Sequence, residues 1–92
     1  MDNLKEISKT LTDLKSKNDV YNFLLELFTE AELNVLRELT KGLSNQEIGT
    51  ELFVSAATVK THISNMLQKT GFSNRTELAI KARVSGLVIS RE

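Results

Sequence analysis

Between Thr58 and Asn65 the chain reads TVKTHISN, a run of hydroxyl, amide and ammonium groups without a carboxylate. Coiled as a helix at about 100° per residue, this stretch divides into two faces. Val59, Ile63, Met66, Leu67 and Thr70 fall on a packing side, while Ala57, Thr61, Ser64 and Gln68 fall opposite, flanked by Lys60 and Asn65. From Leu52 to Thr76 the chain holds Lys60, Lys69 and Arg75 but no Asp or Glu, although 26% of all residues are charged. A carboxylate laid against phosphates repels a fixed negative charge and releases no counterion, so a surface for nucleic acid excludes acids. The outer face therefore offers hydrogen bonds to an anionic, polar partner, and the stretch reads as a recognition helix for double-stranded DNA.

Other chemistries lack their residues. There is no cysteine, hence no disulfide, thiol nucleophile or thiolate metal site, which fits a reducing cytoplasm. His62 is the single histidine, so metal ligation is not expected; it lies at the edge of the packing face and reads as partly buried and locally hydrogen-bonded. No spacing of Ser, His and carboxylate supplies a nucleophile with an oriented base, so no catalytic residue, cofactor or small-molecule ligand is expected. The longest apolar run, Phe23 to Phe28, is interrupted by Glu26 and too short to span a bilayer. Met1-Asp2-Asn3 lacks the basic start and apolar core of a signal peptide, so a cytoplasmic protein without a membrane partner is expected.

The elements that must position the recognition helix are written in cap motifs. Ser44 and Glu47 form an S-x-x-E capping box, after which Ile48 and Leu52 bury one side of a short helix and Phe53-Val54 turns the chain. Ser55 caps the next helix, giving a helix-turn-helix. Gly49 falls where the two helices should cross, and its missing side chain permits close approach. Upstream, Thr29 and Glu32 make a T-x-x-E box that opens a helix to about Lys41, closed by Gly42. Ala31, Leu33, Val35, Leu36 and Leu39 cover well over half of its circumference, which predicts a central strut between the helix-turn-helix and the N-terminal arm. Downstream, Asn74 and Glu77 make an N-x-x-E box that starts a helix through Ser85, ended by Gly86. Leu78 and Ala82 share its core side, whereas Ile80 and Val84 lie about 200–240° from Leu78. A second apolar stripe, which Leu87 extends, predicts a partner surface.

Residues 1–28 read as a helical arm, distinct from a domain over 29–92. Leu4, Ile7, Leu11 and Leu14 make one apolar stripe, and Asn18 or Asp19 could cap a second helix carrying Val20, Tyr21, Phe23, Leu24 and Leu27. One continuous helix is the competing reading, because Leu4, Ile7, Leu11, Leu14, Asn18, Tyr21 and Leu25 keep heptad register.

Three segments together resemble the LuxR-type (LuxR/GerE) DNA-binding domain: FTEAELNVL, GLSNQEIGTELFVSAATVKTHISNML and GFSNRTELAIKARVSGLV, covering residues 28–88 without a gap. LSNQEI, the S-x-x-TVKTH block and NRTEL carry the most specific part of the likeness. This sequence has Ala31 where the family usually has Arg, Gly49 for a usual Ala, and Thr70 for a usual Leu. The resemblance implies an all-α fold, base-edge contacts at Lys60, Thr61 and Ser64, and pairing of two subunits through the last helix. The arm, especially VYNFLLELFTEAEL, is also weakly similar to the segment that enters the DNA-binding part of Trp-repressor-like regulators, which implies dimerisation through the arm.

Lys can donate to guanine O6/N7, and the Thr methyl can meet a thymine methyl. Ser55, Thr58, Asn65, Lys69, Asn74, Arg75 and the helix start at Asn45 are the expected backbone contacts, since free N–H groups at helix starts bind anions. Twelve basic residues balance twelve acidic ones, so affinity must rest on few phosphate contacts and two subunits are needed. The sequence thus predicts an all-α small helical bundle with a helix-turn-helix and an N-terminal helical arm. Its expected activity is transcriptional regulation as a homodimer, with the helix Ser55–Thr70 in the major groove and Ile80, Val84 and Leu87 at the dimer interface. The competing reading is an interaction protein that pairs with a full-length LuxR-type regulator and binds DNA weakly itself, favoured by zero net charge and the apolar arm.

Overall fold

The computed structural model describes residues 17–86, which form five α-helices: α1 Lys17–Leu27, α2 Glu30–Leu39, α3 Asn45–Leu52, α4 Ala56–Thr70 and α5 Arg75–Ser85. The expected stripe Leu4 to Leu14 and the expected interface residue Leu87 lie outside the described residues.

Local chemistry sets the helix starts. Thr29 accepts from the Glu32 N–H at 3.1 Å while Glu32 accepts from the Thr29 N–H at 2.9 Å, so the predicted box closes in both directions. Ser44 and Glu47 repeat this at the entry to α3, and Ser55 Oγ accepts from the Thr58 N–H at the entry to α4. Each such cap contributes about 1 kcal/mol. Asn74 caps α5 by accepting from the Glu77 N–H. The reverse half of that expected box is shifted by one residue, because Glu77 accepts from the Ser73 N–H instead.

Helix ends differ more from expectation. The α2 helix stops at Leu39, with Thr40 as its cap, and Gly42 at φ +84 turns the chain two residues further on. The backbone is already helical at Lys17, so α1 begins before the expected starts at Asn18 or Asp19. Thr70 gives α4 a polar ending. Its fully buried hydroxyl donates to the Met66 carbonyl and accepts from the Phe72 N–H, while Gly71 at φ 78 closes the turn.

One buried cluster joins all five helices: Leu24 and Phe28 near the first turn, Val35, Leu36 and Leu39 of α2, and Ile48 of α3. Val59, Ile63 and Met66 of α4, Phe72, and Leu78 and Ala82 of α5 complete it. Burying side chains of this size is worth about 1.5–3 kcal/mol each, which is what sets the helices against one another. The α2 helix lies against α3, α4 and α5, whereas α1 packs chiefly on α5. Of the expected strut, α2 is seen against the helix-turn-helix and α5, and the part of the arm that is described, α1, packs chiefly on α5. The apolar arc of α2 is narrower than its composition implied, since Ala31 is exposed and Leu33 only half-buried.

Candidate nucleic-acid interface

The turn between α3 and α4 aims the candidate helix. A Cβ at Gly49 would lie 2.5 Å from the Val54 carbonyl oxygen and 3.3 Å from the Ser55 carbonyl carbon. Glycine thus lets the turn fold directly onto α3, closer than a side chain permits. Phe53 completes the turn in the left-handed conformation, φ 62 and ψ 40, and is 93% exposed. The sequence placed the turn there but gave no sign of this backbone state, which a phenylalanine rarely adopts.

Both faces of α4 are as the periodicity predicts. Val59, Ile63, Met66 and Thr70 are buried and Leu67 is half-buried. Ala57, Lys60, Thr61, Ser64, Asn65 and Gln68 are exposed, and His62 sits half-buried between the two sides. No acid lies on α4. Fifteen helical residues span about 22 Å, and the wide groove of B-form DNA admits a helix of that girth.

The remaining polar residues expected at the interface divide into two groups. Ser55 Oγ, Thr58 and Asn74 lie at the starts of α4 and α5, with Ser55 Oγ donating to Thr58 Oγ1 at 3.0 Å. Lys69 and Arg75, by contrast, have their charged groups engaged. The Lys69 ammonium donates to Glu32 Oε1 at 2.6 Å. The Arg75 guanidinium donates to Asn45 Oδ1 at 2.7 Å and to the Leu43 carbonyl at 3.1 Å. Neither link was legible beforehand, since each joins residues at least 30 positions apart.

Glu32 is the electrostatic joint behind α4. It is only 3% exposed, and burial pushes its carboxyl pKa up. The Lys69 ammonium and the Thr29 N–H and hydroxyl oppose this more strongly, so the net direction is downward from the ordinary value of 4.5. The carboxylate is therefore held ionised between the start of α2 and the end of α4.

The dimer residues expected on α5 are placed outward: Ile80 is 53% and Val84 64% exposed, while Leu78 and Ala82 are fully buried. Beside Ile80 an open depression is lined by Leu39, Leu43, Arg75, Ala79 and Arg83. No helix among the described residues is long and apolar enough to cross a membrane.

A capped helix-turn-helix, braced by one helix before it and one after, and presenting a polar, acid-free second helix, defines a class of DNA-binding regulatory domain. Residues 26–82 match the family described as bacterial regulatory proteins, luxR family, and the chain belongs to that family. It is 45% identical over 65 residues to the uncharacterized transcriptional regulatory protein YxjL of Bacillus subtilis (strain 168), covering 71% of this chain and 30% of YxjL. The transcriptional regulatory protein LiaR of the same organism is 46% identical over 63 residues, 68% of this chain and 30% of LiaR. The transcriptional regulatory protein DegU of Brevibacillus brevis is 34% identical over 85 residues, 92% of this chain and 36% of DegU. The chain thus spans about a third of the length of the curated relatives it matches. No solved structure matches it.

Proposed function

We propose that this chain is a sequence-specific transcriptional regulator that binds double-stranded DNA as a homodimer, with α4 in the major groove. The observation that carries the reading is the exposed, acid-free face of α4. Lys60, Thr61 and Ser64 read base edges, Lys60 by donating to guanine and Thr61 by placing its methyl against thymine. Ser55, Thr58, Asn65, Asn74 and the start of α3 at Asn45 meet the phosphates and set the register. Lys69 and Arg75 act from behind that surface. Two copies pair through Ile80 and Val84 of α5, which places two recognition helices on a roughly two-fold symmetric site.

The exposed apolar residues of α5 together with zero net charge favour a second reading, in which the chain pairs with a longer relative and weakens its DNA binding. One experiment separates the two. The purified chain is titrated against duplexes enriched from a random pool, at two salt concentrations. A regulator enriches a defined sequence and loses affinity with salt. A chain that enriches nothing, yet forms a mixed dimer with a full-length relative, sinks the first reading.

A further inference from the structure

Arg75 is the first residue of α5, and its guanidinium reaches back across the fold to the entry of α3. It bridges two acceptors there, the Asn45 side chain and the Leu43 carbonyl, which lie 30 and 32 positions away along the chain. A guanidinium has five donors and no acceptor, so the atom of Asn45 that faces it must be the amide oxygen. The planar amide then turns its NH2 away from Arg75. Asn45 is also the first residue of α3, where backbone N–H groups have no intrahelical acceptor. Ser44 caps only the Glu47 N–H.

We infer that Arg75 is a positioning residue, which clamps the entry of α3 so that the Asn45 NH2 faces the phosphate backbone, and makes no phosphate contact itself. The inference rests on the DNA-binding reading and assigns Arg75 a role within it. Arginine is required because its rigid fork holds two acceptors at a fixed separation. A lysine carries the same charge but places a single flexible ammonium, and cannot reproduce the fork. Charge and clamp are therefore separable by substitution.

The test uses the full chain and a duplex that the wild-type protein has enriched from a random pool, titrated by fluorescence anisotropy over a series of salt concentrations. Arg75→Lys and Arg75→Gln are each expected to weaken binding on the order of tenfold, the loss of a hydrogen bond to a charged group, with the salt dependence unchanged. Adding Arg75→Lys to Asn45→Ala should weaken binding no further, because the clamp then has no amide to hold. A direct phosphate contact gives a different pattern: Arg75→Lys binds within about twofold of wild type, and Arg75→Gln lowers the salt slope by about one. That pattern overturns the inference. Asn45→Asp separates binding from folding, since a carboxylate strengthens the bond to Arg75 and suits a helix start but offers no donor. It is expected to melt at or above the wild-type temperature and to bind the duplex at least about tenfold more weakly; wild-type affinity in that variant also overturns the inference. If the pool yields no enriched duplex, the DNA-binding reading fails and the clamp is judged by side-chain amide NMR of the free protein. A restrained Asn45 NH2 that becomes mobile in Arg75→Lys supports the clamp. An Asn45 NH2 as mobile in wild type as that of Gln46 overturns it.

Discussion

Helices α4 and α5 are built alike and finished differently. Each starts at a side-chain cap, ends at a glycine in the left-handed conformation, and buries one apolar side in the common core. The outward side of α4 carries Lys60, Thr61, Ser64, Asn65 and Gln68, whereas that of α5 carries Ile80 and Val84 among Thr76 and Arg83. The core constrains only the inward residues, so the outward ones are free to answer to partners. A polar, acid-free side suits an anionic groove, and an apolar one suits a surface that excludes water. The contrast predicts that damage to one side should leave the activity of the other intact.

The largest effect is expected on α5. Burying Ile80 and Val84 against a twin recovers about 1.5–3 kcal/mol per side chain before association costs. A closed two-fold contact uses each residue twice. Ile80→Glu puts a carboxylate beside Glu77 and opposite its own copy, and should cost dimerisation about 3–6 kcal/mol with helicity unchanged. Binding to a site with two half-sites should fall far more than binding to one half-site. If Ile80→Glu and Val84→Glu both sediment as dimers at micromolar concentration, pairing does not run through α5. The complementary change, Lys60→Ala, should weaken specific DNA binding by about 1–3 kcal/mol without altering dimerisation or melting. An anisotropy titration in which folded Lys60→Ala matches wild type would remove α4 from the groove.

A smaller effect tests the joint that holds α4 in place. Because the folded carboxyl of Glu32 lies below its ordinary value, its contribution is complete above that value. It is lost as pH falls through the lowered folded value. Glu32→Gln should destabilise the protein by about 1–2 kcal/mol near neutral pH, and the gap should narrow in acid. Urea melts of both proteins across the acid range check this. A gap independent of pH would mean that the link to Lys69 contributes nothing.

Where the sequence was sufficient, the physics was local. Ser44 and Glu47, or Thr29 and Glu32, are three residues apart and satisfy each other whatever the rest of the chain does. The two sides of α4 follow from its period, so the division between its packing residues and its polar outer ones was legible. What escaped depends on how helices meet. Glu32 with Lys69, and Asn45 with Arg75, are joined across the fold, and residue type alone gives neither pairing. The packing of α1 on α5 was hidden for the same reason, since Leu24 advertises a need for burial but not its location. Ala31 misled in the opposite direction, for alanine gains so little from burial that its place in an apolar pattern carries almost no information.

The smallest predicted effect concerns Phe53, the one exposed aromatic at the junction of α3 and α4. The residue is 93% exposed and its backbone is left-handed at φ 62. A residue with a Cβ in that conformation costs about 1–2 kcal/mol relative to the right-handed region, and asparagine pays less of it because its short side chain bonds locally. So little of the ring is buried that its removal forfeits almost no packing. Phe53→Asn should therefore raise stability by about 0.5–1 kcal/mol, seen as a small rise in melting temperature. The same variant asks whether the acid-free side of α4 is the whole of the contact. If Phe53 serves only the turn, DNA affinity should stay within about twofold of wild type, because no base or phosphate donor has been removed. A larger loss of affinity with stability raised as expected would extend the DNA surface from α4 to the turn that precedes it. A fall in stability would show that the exposed ring contributes more to the turn than its backbone strain costs.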